Sequence, residues 1–168
     1  MEKHFKEKRF VMASELSGYG LKEILKKYFE DKGYEILDVG TTDPENPVSY
    51  YEAGSKAAEA VRDGKAEFGI VVCGTGMGVC MAANRIPGIY CTIVESIHTA
   101  KLARQINNAN VLALGANIVA PELAKLMADA FIETDFCDGF PESEHAGLVE
   151  AIESLEKIEK AAYTKYYG

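Results

Sequence analysis

The stretch Phe68-Gly-Ile-Val-Val-Cys73, followed without a break by Gly74-Thr-Gly-Met-Gly78, limits the fold more than any other feature of this chain. A short, almost uninterrupted apolar run describes a strand buried on both faces. Glycines at 74, 76 and 78 then turn the chain sharply into a segment that reads as a helix through Asn84. A strand of this kind needs helices above and below its sheet.

The rest of the chain supplies them. Arg9 to Ala13 is a first short apolar run; after a Ser-Gly-rich turn, Leu21, Ile24, Leu25, Tyr28 and Phe29 recur at helical spacing. Gly33 ends that helix, and Tyr34 to Val39 reads as a second strand. Residues 40–49, with Pro44 and Pro47, form one long loop, a length that suits binding. Helix Tyr50 to Asp63, strand Ile89 to Val94, helix Ile97 to Asn107, strand Asn110 to Leu114 and helix Pro121 to Ile132 continue the alternation. A last helix spans about Glu144 to Tyr163. This pattern predicts an α/β fold, a three-layer, doubly wound, Rossmann-like sheet of five parallel strands with helices on both faces. Residues 1–8, including His4, read as a charged, disordered leader, and 9–168 as a single domain closed by a C-terminal helix.

Eighteen basic residues against 26 acidic ones leave a net charge of −8. That balance, with no basic stripe, argues against a nucleic-acid partner. No apolar run reaches the roughly 18 to 20 residues of a membrane span, and the charged start is unlike a signal peptide. A cytoplasmic protein with no membrane partner is expected. Cys73, Cys80, Cys91 and Cys137 show no CxxC spacing and have too few histidines nearby for a zinc set, so they read as reduced thiols without a metal.

Doubly wound sheets bind ligands at the carboxyl ends of their strands, beside the topological switch point. That rule selects Ser14-Glu-Leu-Ser-Gly18, the loop 40–49, and Cys73 with its glycines. N–H groups of a turn that opens a helix favour an anion, whether phosphate, carboxylate or enediolate, and the same glycines also serve tight strand–helix packing. Neither the Gly-Lys-Ser/Thr of a Walker loop nor the dinucleotide GxGxxG spacing is present. Fold analogy alone leaves a nucleotide- or flavin-binding module open. Cys73, at a strand end facing a helix start, is a candidate nucleophile or base, or else a small buried hydrophobe. Cys80, Cys91 and Cys137 read as buried hydrophobes.

The segment Gly69 to Ile89, reading GIVVCGTGMGVCMAANRIPGI, resembles the signature of the ribose-5-phosphate isomerase B and galactose-6-phosphate isomerase family. Gly33 to Thr41, Ala57 to Val61, Asn107 to Gly115 and Pro121 to Lys125 extend the resemblance from about Arg9 to Ile152. It implies an aldose–ketose isomerase of carbohydrate metabolism that needs no metal or cofactor, works through a cis-enediolate, and forms a homodimer, or a dimer of dimers, with sites between subunits. Cys73 would be the base, with Thr75 on the substrate oxygens. Amides of Gly74, Gly76 and Gly78 would form the anion hole, and Asn107 would bind a substrate hydroxyl, although a helix C-cap is its alternative role.

Several family positions are changed. The first loop's acid and histidine are Glu15, which the resemblance makes a candidate substrate ligand, and Leu16, and the ring-opening histidine is Ile106. Tyr50 stands loosely for the family's loop tyrosine, which makes it a candidate substrate contact. Four family arginines correspond to Tyr90, Asn117, Glu144 and Leu148, which removes the charge-assisted clamp for a phosphate dianion. An open-chain or unphosphorylated sugar derivative is therefore the expected substrate, as in family members that isomerise unsaturated uronates. Two readings compete: a conventional ribose-5-phosphate isomerase with phosphate ligands moved to Arg85, Lys101 or Arg104, and one subunit of a hetero-oligomeric galactose-6-phosphate isomerase. Arg85, Lys101 and Arg104 otherwise read as a solvated helix face. His145 could replace the lost imidazole as an acid, and His98 is a weaker candidate; a surface position is the alternative. The aromatic tail, residues 161–168, suits packing on a partner subunit or on the core.

Overall fold

The structure is a computed structural model and describes Phe5 and residues 8–167. Five strands, β1 Arg9–Ser14, β2 Glu35–Asp38, β3 Gly69–Cys73, β4 Cys91–Ile93 and β5 Val111–Gly115, pair in parallel in the order β2-β1-β3-β5-β4. Six helices join and follow them: α1 Tyr19–Asp31, α2 Tyr50–Arg62, α3 Met77–Ala83, α4 Ile97–Gln105, α5 Pro121–Glu133 and α6 Glu142–Tyr167. The doubly wound α/β sheet expected from the alternation is the fold observed. Strand order reverses between β1 and β3, so the switch point lies there.

Strand periodicity separates two unlike cores. Phe10 and Met12 face one side of β1, where Leu25, Phe29, Phe68, Met127 and Phe131 from β3's approach and from α1 and α5 fill the space. Val11 and Ala13 face the other side, where Ala53, Ala57 and Ala58 of α2 meet Val79 and Ala83 of α3. Small side chains bring those helices close: a Cβ on Gly54 would lie 2.6 Å from the Val79 carbonyl oxygen. Each buried phenylalanine on the first side contributes about 2 to 3 kcal/mol, so that side supplies most of the transfer energy per residue.

Phe5, within the segment read as a leader, rests 4.4 Å from the Phe68 ring and 6.0 Å from that of Phe131. The disorder expected of His4 falls outside the described residues. β4 is shorter than the sequence suggests, because the Asn110 side chain does the work of a ladder rung before it. Its Oδ1 accepts the Tyr90 N–H at 2.9 Å and its Nδ2 donates to the Gly88 carbonyl at 2.9 Å. α6 is longer than expected and starts at Glu142, with Glu142 and Glu144 placing negative charge at its positive end. Ile152 on α6 is buried, whereas Val149, Leu155, Ile158, Tyr163 and Tyr166 are exposed.

Candidate active site

The switch point gathers the loops after β1, β3 and β5. Gly18 presses against the end of β3 so closely that a Cβ there would sit 2.4 Å from the Val72 carbonyl oxygen. Glu15 locks this arrangement. Its carboxylate accepts N–H bonds from Ser17 at 2.9 Å and Gly18 at 3.1 Å, and from Gly74, across the switch point, at 3.2 Å. The β5 loop closes the third side through Ala116 N–H to the Cys73 carbonyl (2.8 Å) and Asn117 N–H to the Gly74 carbonyl (2.9 Å).

Cys73 ends β3 at 6% exposure, on the small-residue side of the sheet. Its sulfur accepts the Gly76 N–H at 3.1 Å. That bond depends on Gly76 at φ +80, where any side chain is strained and a Cβ would fall 2.9 Å from Ile93 Cδ1. Thr75 is exposed at the tip of the turn, and its Oγ1 accepts the Met77 N–H at 3.4 Å. Tyr50 opens α2 directly after a Ser49–Glu52 capping box, and its ring lies over Gly78, 2.8 Å from where a Cβ would be.

Two of the expected anion-hole donors have acceptors within the protein. The Gly74 and Gly76 N–H groups donate inward, to Glu15 and to the Cys73 sulfur. Among the described residues the N–H groups of Thr75 and Gly78 have no protein acceptor, Gly78 because it lies in the first turn of α3, whereas the Met77 N–H is taken by Thr75 Oγ1. Glu15 is correspondingly a brace for the turn, with its carboxylate committed to backbone.

Asn107 and His145 lie elsewhere. Helices run back along the sheet, so the end of α4 and the start of α6 sit at the amino edge, opposite Cys73. Asn107 is exposed beyond Ile106, which is the C-cap of α4, and Asn108 follows at φ +47. His145 is half-buried, with Nε2 2.9 Å from the Phe140 carbonyl. Among the described residues no hydrogen bond joins either one to the Cys73 turn.

Arg104 is not on a solvated face. It is fully buried, with its guanidinium 4.4 Å from the Phe5 ring, Nη1 bonded to the Ala109 carbonyl and to Asn108 Oδ1 (3.2 Å), and Nε bonded to the Thr134 carbonyl (3.3 Å). Burial pulls its pKa down to about 10. The spacing Ala100, Ala103, Arg104 already placed it on the inward face of α4. Sequence reasoning also missed Asn117 as a neighbour of Gly74: its Nδ2 lies 3.1 Å from where a Gly74 Cβ would be. Cys80 is half-buried rather than buried, and hydrogen bonding, chiefly with Cys91, lowers its pKa to about 7. Cys91 and Cys137 are buried, as expected.

The Cys73 thiol and its glycine turn thus lie at the switch point of a doubly wound sheet, where proteins of the Rossmann-like α/β class bind their ligands. The family model described as Ribose/Galactose Isomerase matches residues 10–152. The chain is 40% identical to the 4-deoxy-4-sulfo-D-erythrose isomerase of Clostridium sp. (strain MSTE9) over 94% of its length and 99% of that protein. It is 35% identical to ribose-5-phosphate isomerase B of Escherichia coli (strain K12), covering 89% and 97%. The solved ribose-5-phosphate isomerase B of Clostridium thermocellum superposes with a TM-score of 0.84 at 34% identity, over 92% of this chain and 99% of that one. The chain belongs to the ribose/galactose isomerase family and is an aldose–ketose isomerase. Among the described residues no helix is long and apolar enough to cross a membrane.

Proposed function

We propose that this enzyme interconverts a short, acyclic, unphosphorylated aldose and its ketose, with Cys73 moving the proton between adjacent carbons. The observation that carries this reading is the Cys73 sulfur at the switch point, held by the Gly76 N–H at 3.1 Å beside unspent donors. The base removes the proton from C2 of the aldose while the carbonyl oxygen on C1 becomes the oxyanion of a cis-enediolate. The hydroxyl proton of C2 passes to the C1 oxygen as the proton held on sulfur returns to C1, giving the ketose with no net change in atoms or electrons. Donors of Thr75 and Gly78 face the charge that develops on oxygen.

Substrate chemistry explains the altered positions. In a 4-deoxy-4-sulfo tetrose, the activity named for the Clostridium relative, C4 carries sulfonate where a furanose needs hydroxyl. No five-membered ring closes, so Ile106 in place of a ring-opening histidine costs nothing. A sulfonate carries a single negative charge, whereas a phosphate monoester carries about −1.5 to −2. Neutral Asn117 beside Gly74, with Glu144 and Leu148 at the other edge, suits the weaker anion. Arg104, one of the three cations the competing reading offers for phosphate beside Arg85 and Lys101, is buried and bonded to backbone carbonyls.

A second copy of the chain would complete the site. Cys73 and the pair Asn107 and His145 lie at opposite edges of one sheet, and exposed apolar side chains ring the Cys73 mouth: Leu16, Tyr50, Met77, Met81 and Ile118. Such a ring suits a protein partner and a homodimer with shared sites. Steady-state kinetics on 4-deoxy-4-sulfo-D-erythrose and on ribose 5-phosphate test the reading. A kcat/KM at least about tenfold higher for the sulfonate is expected. Efficient turnover of ribose 5-phosphate would overturn it, and activity that requires an added paralogous subunit would overturn the homodimer.

A further inference from the structure

A second thiol site lies one helical turn from the catalytic loop. Cys80 sits on the inward side of α3, where its thiol donates to the backbone carbonyl of a second cysteine, Cys91 on β4, at 3.3 Å. β4 is an edge strand, and Asn84 holds its free side at that residue. The amide of Asn84 accepts the Cys91 N–H at 2.8 Å and donates to the Cys91 carbonyl at 2.8 Å, and its Nδ2 reaches the Cys80 sulfur at 3.5 Å. Cys80 is thus half-exposed, surrounded by donors, and next to a second thiol that is itself buried. Donors around one sulfur with a resolving thiol beside it are the physical requirements of a redox-active pair.

We infer that Cys80 and Cys91 form a reversible thiol–disulfide pair, oxidised by hydroperoxides, whose closure disturbs the catalytic turn at the start of α3. The Cys80 sulfur attacks the peroxide O–O bond, which breaks to leave a sulfenic acid and hydroxide. The Cys91 sulfur then displaces the sulfenic oxygen as water, forming the disulfide; two thiols are oxidised and one peroxide is reduced. An S–S bond of about 2.05 Å is shorter than any thiol–thiol contact, so closure draws α3 toward β4. α3 begins at Met77, directly after the Gly76 N–H that holds the Cys73 sulfur. Movement of the helix therefore reaches Cys73 through that hydrogen bond. This inference stands apart from the substrate proposed above and rests on no sugar.

The test treats the full protein with hydrogen peroxide, alkylates it under denaturing conditions and maps its peptides. A disulfide joining the Cys80 and Cys91 peptides, reversed by dithiothreitol, is expected. In Cys91→Ser, Cys80 should instead stop as a sulfenic acid that dimedone labels. Alkylation of native Cys73 should slow about fivefold once the pair is closed, the change expected for loss of one ordinary hydrogen bond. The inference is overturned if Cys80 and Cys91 stay reduced while Cys73 alone is oxidised, or if closing the pair leaves the Cys73 alkylation rate unchanged.

Discussion

The two edges of the sheet have been treated differently. At the carboxyl edge, Glu15, Cys73, Thr75 and three glycines are bound together by hydrogen bonds to backbone, and the resembling family's cysteine, threonine and loop glycines are kept, while Leu16 and Asn117 are changed. At the amino edge, the positions where that family carries a histidine and three arginines hold Ile106, Tyr90, Glu144 and Leu148. Proton transfer between adjacent carbons demands one geometry whatever the sugar. Recognition of the far end of the substrate answers only to the group that is there. The contrast points to retained chemistry and rebuilt recognition.

The largest expected effect breaks the carboxyl edge. Cys73→Ala should lower kcat by about a thousandfold, within the range for removal of a general base, and leave KM nearly unchanged. At the amino edge, Arg104→Met should destabilise the fold by about 2 to 3 kcal/mol, since it strips a donor from the buried Thr134 and Ala109 carbonyls; urea unfolding measures this. Asn117→Arg should raise kcat/KM for phosphorylated tetroses by about tenfold, the value of one charge-assisted bond, and sharpen the proposal that charge was removed at this position. Glu15→Ala should cost about 1 kcal/mol by removing a cap that serves two loops. A further, smaller contrast separates the thiols. With its pKa lowered to about 7, Cys80 is mostly deprotonated above that pH, so its alkylation should rise through pH 7 and level off by about pH 8. Cys91, pushed up by its hydrogen bond with Cys80 and by burial, should remain unlabelled over that range.

Legibility followed the same division. Phe68 to Cys73 and the glycines after it were readable because a strand buried on both faces leaves an unbroken apolar run, and the switch point follows from β/α alternation. Residues after strands fall at the carboxyl edge and residues after helices at the amino edge, so the separation of Cys73 from Asn107 and His145 was implicit in chain order. Side chains that replace backbone were not readable. Asn110 stands in for a rung before β4, and Asn84 covers the open side of Cys91, yet an asparagine in sequence reads as a turn former. Arg104 looked solvated because its charge outweighed its spacing; two backbone carbonyls, the Asn108 side-chain oxygen and two aromatic rings, brought from distant segments or from the helix end, make its burial tolerable. Glu15 looked like a substrate ligand, and only the closeness of the β1 and β3 loops turns it into a brace.

The central claim is that Cys73 performs enediolate chemistry on an acyclic, unphosphorylated sugar. Incubation with 4-deoxy-4-sulfo-D-erythrose in deuterated water, read by proton NMR, tests it most directly. The wild-type enzyme should place deuterium at C1 of the ketose and at C2 of recovered aldose, and Cys73→Ala should place none. Exchange at the wild-type rate in Cys73→Ala, or exchange seen with ribose 5-phosphate and absent with the sulfonated tetrose, would contradict it.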